Sequence, residues 1–350
     1  MKSTHLRNIF RITAIAAITC FCLFISACSS KKITDNNINT TPTSAPTANA
    51  QPTDVPTPTD IPSDPDVLSG DGQNEGSDEG GEAYDGYVGT VEPVPDSGDY
   101  YPLYVYDGIS YCIFPDHAEV IFTWLSDDTL EDYTIRETIN AEGQFYKVTA
   151  IGDEAFYCFE YLASVSIPST VTRIGGSAFE FCENLAALDI PSSVTAIGDY
   201  AFGECSSLTE AVIPDSVTDL GWGVFYNCTS LTTVTLPSGL TAIPHDTFSG
   251  CEALTDVTIP AGVTTIGEEA FWYCEALETL ELPENLAVIE SAAFYDCVSL
   301  KELKFPKSML MLSDTALDAC DSLERIYCPS SIVSNFRDIF DSYDFEVIEY

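Results

Sequence analysis

Positive charge is what this 350-residue chain most conspicuously lacks: 13 Lys and Arg stand against 55 Asp and Glu, for a net charge of −42. Binding DNA or RNA requires basic side chains that neutralise phosphates and release counterions, so this balance excludes nucleic acid as a partner. Between Arg173 and Lys301 there is neither Lys nor Arg, and an anionic membrane surface would repel that body for the same reason. Imidazole is scarce too, supplied only by His5, His117 and His245, which leaves little for His-based catalysis or His-rich metal sites. The chain has no C-x-x-C pair for zinc, no G-x-S-x-G, no P-loop and no dinucleotide fingerprint. Its N-terminal apolar run, Ile12 to Ala27, has 16 residues and is short for a stable membrane span.

That run comes after Lys2, Arg7 and Arg11 and ends in small residues, the layout of an export signal over residues 1–27. The stretch Ile25-Ser26-Ala27-Cys28-Ser29-Ser30 resembles a bacterial lipoprotein lipobox, with Ile25 where Leu is usual. The resemblance implies cleavage before Cys28, lipidation of its thiol, and membrane attachment through that anchor only. An ordinary signal peptide or an uncleaved anchor is the alternative. Removing residues 1–27 takes away three positive charges and leaves the mature chain at −45.

Residues 28–98 shift to Thr, Pro, Ser, Asn, Gly and Asp, with nine prolines from Pro42 to Pro95 and no apolar period. Such a segment cannot bury enough surface to offset its ordering entropy, and it reads as a disordered tether. Its length gives a reach of roughly 45 to 50 Å as flexible coil. Residues 99–147 read as an N-terminal cap, with Tyr133-Thr134-Ile135-Arg136-Glu137-Thr138-Ile139 a degraded copy of a V-x-I-P-x-x-I segment that recurs in the rest of the chain.

From residue 148 to 330 the chain repeats with a period of 23: prolines fall at 168, 191, 214, 237, 260, 283, 306 and 329 without a slip. Leu162, Leu185, Leu208, Leu231, Leu254, Leu277, Leu300 and Leu323 stand six residues before each, and Phe156, Phe179, Phe202, Phe225, Phe248, Phe271 and Phe294 six before the Leu, with Leu317 in the last copy. The unit reads I-G-x-x-A-F-x-x-C-x-x-L-x-x-V-x-I-P-x-x-V. Each unit is too small to bury its apolar positions alone, so eight of them stack into a solenoid with one continuous core. The L-x-x-V-x-I part suits a strand of a parallel sheet, ended by a proline that cannot donate to the ladder. The Gly of I-G fits a tight bend, and A-F-x-x-C fits a short helical turn. Residues 331–350 break register and read as the C-terminal cap.

The pattern A-F-x-x-C-x-x-L-x-x-V-x-I-P resembles the BspA-like, or treponemal-type, leucine-rich repeats. The resemblance implies an α/β leucine-rich repeat solenoid, right-handed, with a parallel β-sheet on the concave face and short helical turns on the convex face. It further implies a bacterial surface location and adhesion to host proteins or other cells. It carries over no catalytic residue, no metal site and no cofactor.

Cys182, Cys205, Cys228, Cys251, Cys274, Cys297 and Cys320 recur once per unit and are expected inward, as a buried row of reduced thiols among Leu, Ile and Phe. Carboxylates are spread as a solvated acidic face rather than paired in a cleft. Two exposed strips are the candidate binding surfaces. On the sheet the outward positions include Glu210 and Val212, Thr233 and Thr235, Asp256 and Thr258, Thr279 and Glu281, then Glu302 and Lys304, Arg325 and Tyr327. After the repeat Phe comes an aromatic strip of Tyr226, Trp272, Tyr273 and Tyr295, with Trp222 in a neighbouring bend; exposed rings give contact area at low entropy cost. The expected function is therefore non-enzymatic: a monomeric surface adhesion module taking a protein or glycan ligand. The alternative is an envelope scaffold that binds cell-wall polymer or other surface proteins.

Overall fold

The computed structural model describes residues 86–91, 101–121 and 131–350; residues 1–27 and Cys28 lie outside the described residues. Within 131–350 the chain winds as a parallel-strand solenoid of about nine turns with very little helix.

Most coils carry two strands. The L-x-x-V-x-I segments form a first ladder: Asp132–Thr134, Ser164–Ser166 and Ala187–Asp189 pair in parallel, as do Glu210–Val212, Thr233–Thr235 and Asp256–Val257, and then Glu302–Lys304 with Arg325–Cys328. A two-residue strand after the proline forms a second ladder, which the sequence pattern does not announce. It runs through Arg173–Ile174, Ala196–Ile197 and Asp219–Leu220, and again through Ala242–Ile243, Thr265–Ile266, Val288–Ile289 and Met311–Leu312. The gap between these two runs falls where Pro244 replaces the repeat glycine. Gly221 N–H donates to the carbonyl of Ile197 and Gly267 N–H to that of Ile243, whereas a proline has no N–H to give Leu220.

The A-F-x-x-C segment is not the helical turn expected of it. Phe159 N–H bonds back to the carbonyl of Phe156, but Phe156 N–H and Cys158 N–H donate across to Ala178 and Glu180 of the next coil. Two residues in every coil but the last lie in the left-handed region, such as Glu154 at φ 56° and Cys158 at φ 61°, and turn alternate donors outward. A helix keeps all its donors to itself, so these residues make a ladder of turns instead.

The repeat glycine also has a different reason from the one expected. A Cβ on Gly198 would lie 2.5 Å from the backbone nitrogen of Gly176, and one on Gly221 2.4 Å from that of Asp199. The residue is glycine because the preceding coil's backbone passes there, not because the bend needs an unusual φ.

Inside, the repeat phenylalanines are fully buried and stacked, with centroid spacings from 5.0 Å (Phe156 on Phe179) to 6.0 Å (Phe225 on Phe248). The cysteines form the expected row and do more than fill space. Each Sγ–H donates to the carbonyl of a repeat Phe in the previous coil, from Cys182 to Phe156 at 3.2 Å through Cys320 to Phe294 at 3.0 Å. All ten described cysteines are free thiols, Cys320 and Cys328 included. In the first unit Phe159 takes the cysteine's place and packs edge-on against Phe156 at 5.5 Å.

Antiparallel strands Tyr101–Tyr106, Ile109–Ile113 and Ala118–Ile121 cover one end and join Gln144–Ile151 in parallel. Gly86–Val91, placed in the tether by composition, adds a further antiparallel strand on Tyr101–Tyr106; its Tyr, Val and Thr favour a strand despite the Gly- and Asp-rich surroundings. At the other end a short helix, Arg337–Phe340, brings Phe336 and Phe340 onto Phe305, and a final strand, Glu346–Glu349, pairs in parallel with Arg325–Cys328. No helix among the described residues is long and apolar enough to cross a membrane.

Candidate functional site

Alternation along the first ladder turns Val165, Val234 and Leu303 into the core and leaves their neighbours on the outer face. The register stacks Glu210 on Thr233, Val212 on Thr235, and Thr233 on Asp256. These positions make two short columns with exposed Glu210, Val212, Thr235, Asp256 and Thr258 and half-buried Thr233. Thr279 and Glu281 belong to a different stretch. Among the described residues no ladder pairing joins Asp256–Val257 to the coil of Thr279, which bridges onward to Glu302 instead. The eight expected sheet residues are thus split into a group of six and a group of two.

The group of two opens into a groove of about 530 Å³, whose walls include Thr279, Glu281, Glu284, Glu302, Lys304, Tyr327 and Tyr350. The coil carrying Thr279 and Glu281 has no regular strand here, while the next two coils do, and this difference makes the recess. Tyr350 crosses from the final strand: its hydroxyl donates to the Phe305 carbonyl at 2.8 Å, and the Lys304 ammonium sits 5.1 Å above its ring. Burial raises the Tyr350 phenol above its ordinary pKa, so the group stays a neutral donor. Arg325 pairs with Glu302 at 3.3 Å on the adjoining column.

The groove therefore offers carboxylates, one ammonium and two phenol rings within a side-chain-sized space. That set recognises polar groups by charge and hydrogen bonding and holds a flat or apolar portion against a ring. Among the described residues no group of three or more His, Cys, Asp or Glu is placed to hold a metal ion. Lys304 and Tyr327 were legible as outward positions of the repeat. Tyr350 was not, because it lies beyond the break in register.

The aromatic strip divides as well. Trp272, Tyr273 and Tyr295 gather into one half-buried cluster, with centroids 4.2 Å apart for Trp272 and Tyr273 and 6.4 Å for each of them to Tyr295. Tyr226 stands apart, edge-on to Tyr200 at 5.7 Å. Beside it, burial holds the carboxyls of Glu204, Asp246 and Glu269 above the usual range. The strip is partly packing between coils and partly surface.

The model of the BspA type leucine-rich repeat region matches residues 149–278 and 264–349, in six copies. Among solved structures, a leucine-rich cell surface protein from Faecalibacterium prausnitzii is 24% identical, covering 71% of this chain and 94% of its own, with a TM-score of 0.38. A Treponema pallidum leucine-rich repeat protein is 25% identical, covering 49% of this chain and 89% of its own, with a TM-score of 0.41. A leucine-rich repeat protein from Bacteroides ovatus is 20% identical, covering 70% of this chain and 99% of its own, with a TM-score of 0.38. No curated protein matches the chain.

Proposed function

Because the chain belongs to the BspA-type leucine-rich repeat family, a family of protein-interaction modules, we propose that it is an adhesion module displayed on a bacterial cell surface. In this reading Cys28 carries the lipid, the Thr/Pro-rich stretch lifts the solenoid away from the envelope, and the ligand is a macromolecule of a host or neighbouring cell. The observation that carries the binding site is the groove of about 530 Å³ at Lys304, Tyr327 and Tyr350, on the same face as the columns from Glu210 to Asp256. A solenoid offers such an extended surface for recognition, and both charge signs with rings are concentrated in this part of it.

The test is binding of the mature chain to an array of matrix proteins, mucins, glycans and cell-wall fragments, with and without a calcium chelator. Saturable binding to a foreign protein or glycan is expected, weakened at least tenfold by Tyr327→Ala and by Lys304→Glu. Binding to cell-wall fragments alone would make the molecule an envelope scaffold. The anchor is checked separately: Cys28→Ala should release the chain from the membrane fraction.

A further inference from the structure

We propose a second docking surface, at the bend after the second ladder, that takes a cationic amphipathic segment of a partner protein, with Lys or Arg interleaved with aliphatic residues. This goes beyond the first-ladder site, which is built from other residues, and stands or falls without it.

The surface is where the repeat stops repeating. In the position before the second-ladder strand the coils carry Thr172, Thr195, Thr218 and Thr264, whose hydroxyls donate to the carbonyl of the threonine one coil earlier. The next coil has Ala287 there, and the last has Leu310, 77% exposed, with Met311 beside it, 46% exposed. A leucine so exposed adds nothing to the core, and the threonine it replaces would have bonded to the neighbouring coil. Met311 and Ile339 line a groove of about 650 Å³ together with Glu268, Glu290 and Asp314.

The carboxylates are also arranged differently from those of earlier coils. Asp153 and Asp199 spend an oxygen on the next coil's backbone, accepting from Gly176 N–H at 2.9 Å and Trp222 N–H at 2.8 Å. Here Glu290 stands where the repeat glycine would be and accepts from Glu268 N–H at 3.1 Å. The Glu268 side chain is thereby left at the surface, 3.8 Å from His245. His245 in turn lies beside Trp222, with ring centroids 5.5 Å apart, and Trp222 is 57% exposed. No Lys or Arg lines the groove.

Exposed Trp, Leu and Met beside carboxylates that no Lys or Arg neutralises, with only the His245 ring within 4 Å of Glu268 and Glu290, call for an occupant with the opposite pattern. Its cations would pair with Glu268, Glu290 and Asp314, and its aliphatic groups would cover Met311 and Ile339. A purely apolar partner would leave the carboxylates desolvated, and a purely cationic one would leave the apolar wall wet.

The experiment titrates the mature chain with an amphipathic lysine/leucine peptide, using an oligolysine of equal charge for comparison. Saturable binding is expected, at least fivefold tighter than oligolysine. Leu310→Thr with Met311→Thr, which restores the repeat's own residue at 310, should remove that preference. Glu268→Gln with Glu290→Gln should weaken peptide binding at least tenfold, while Glu160→Gln with Glu183→Gln, an equal charge change elsewhere, should leave it within twofold. Thermal melts establish that each variant is folded. Absence of binding, equal affinity for oligolysine, or equal loss in the control pair would overturn the proposal. So would a dimer of the unmodified chain that Leu310→Thr dissolves, since the surface would then serve a second copy.

Discussion

At the scale of single residues, the turn ladder sets an unusual condition: most of its left-handed positions are held by residues other than glycine. Tyr200, Glu204, Phe181, Tyr273 and Ala319 all have φ between 53° and 62°, a conformation that costs an L-residue about 1–2 kcal/mol. Replacing Ala319 by Gly removes that cost with the loss of one exposed methyl group, against about 0.4–1 kcal/mol returned to the unfolded chain's entropy. Ala319→Gly should therefore raise stability by roughly 0.5–1 kcal/mol in denaturant melts. Gly250→Ala should do the reverse and more strongly, because at φ 76° its Cβ would also sit 1.9 Å from the Asn227 side-chain oxygen. An unchanged or lowered midpoint for Ala319→Gly would show that the coil holds these dihedrals without strain. These positions also explain why A-F-x-x-C looks helical in the sequence and is not. Alanine, phenylalanine and leucine at that spacing suit a helix, and nothing in Glu154 or Cys158 as residue types announces a positive φ.

Elements here are coils, and what keeps two coils at strand spacing is the approach of their backbones at the repeat glycine. Gly198→Ala puts a methyl group among the atoms of Gly175 and Gly176, the nearest at 2.5 Å, and backbone cannot swing away as a side chain can. We expect a loss of about 3 kcal/mol, at the upper end of what overpacking costs. Gly239→Ala, with nothing within 4 Å of its Cβ, should be neutral or gain about 0.5 kcal/mol. Equal melting behaviour of the two variants would sink this account of the glycine.

The same scale shows how far the sequence could be read. The period of 23, with Phe, Cys, Leu and Pro in fixed places, determined the coil, its buried faces and the first ladder, because the Phe, Cys and Leu positions face the core and the Pro ends the strand. The second ladder escaped notice because two residues are too few to display an alternation. Of the candidate site, the outward columns came from alternation alone. The groove did not, since it needs a coil without its strand beside Tyr350, a residue outside the repeat.

Over the whole molecule the dominant quantity is charge. A net −42 repels itself in the compact state, and folding adds a local penalty by lifting the carboxyl pKa values of Glu180, Glu204, Asp246 and Glu269 through burial. A group that holds its proton more tightly when folded stabilises the fold as pH falls. Melting temperature should accordingly rise from pH 7.5 to pH 5, with the gain reduced by salt. The thiol row sets the opposite limb. Burial pushes Cys320 from an ordinary 9.0 up to about 12 and raises its neighbours in the same direction, so the folded state keeps protons that the unfolded chain releases above pH 9. Stability should fall between pH 9 and 12, and a thiol reagent should leave the row unmodified until denaturant is added. A melting temperature that climbs towards alkaline pH would contradict both limbs.

The cysteine-to-carbonyl bond has a consequence for inheritance. Cys182 reaches Phe156, Cys205 reaches Phe179, and each later cysteine repeats the same reach of 26 residues. A gene segment encoding one period, duplicated or lost in frame, therefore finds its donor and acceptor already in place and leaves the interior continuous. Lengthening or shortening changes only how far apart the two grooves stand from the cap at residues 101–121. Both grooves lie at the carboxyl-terminal end, Tyr350 in one and Ile339 in the other. Gain or loss of coils before residue 245 would thus reset the molecule's span while the lining of both grooves passes on unaltered.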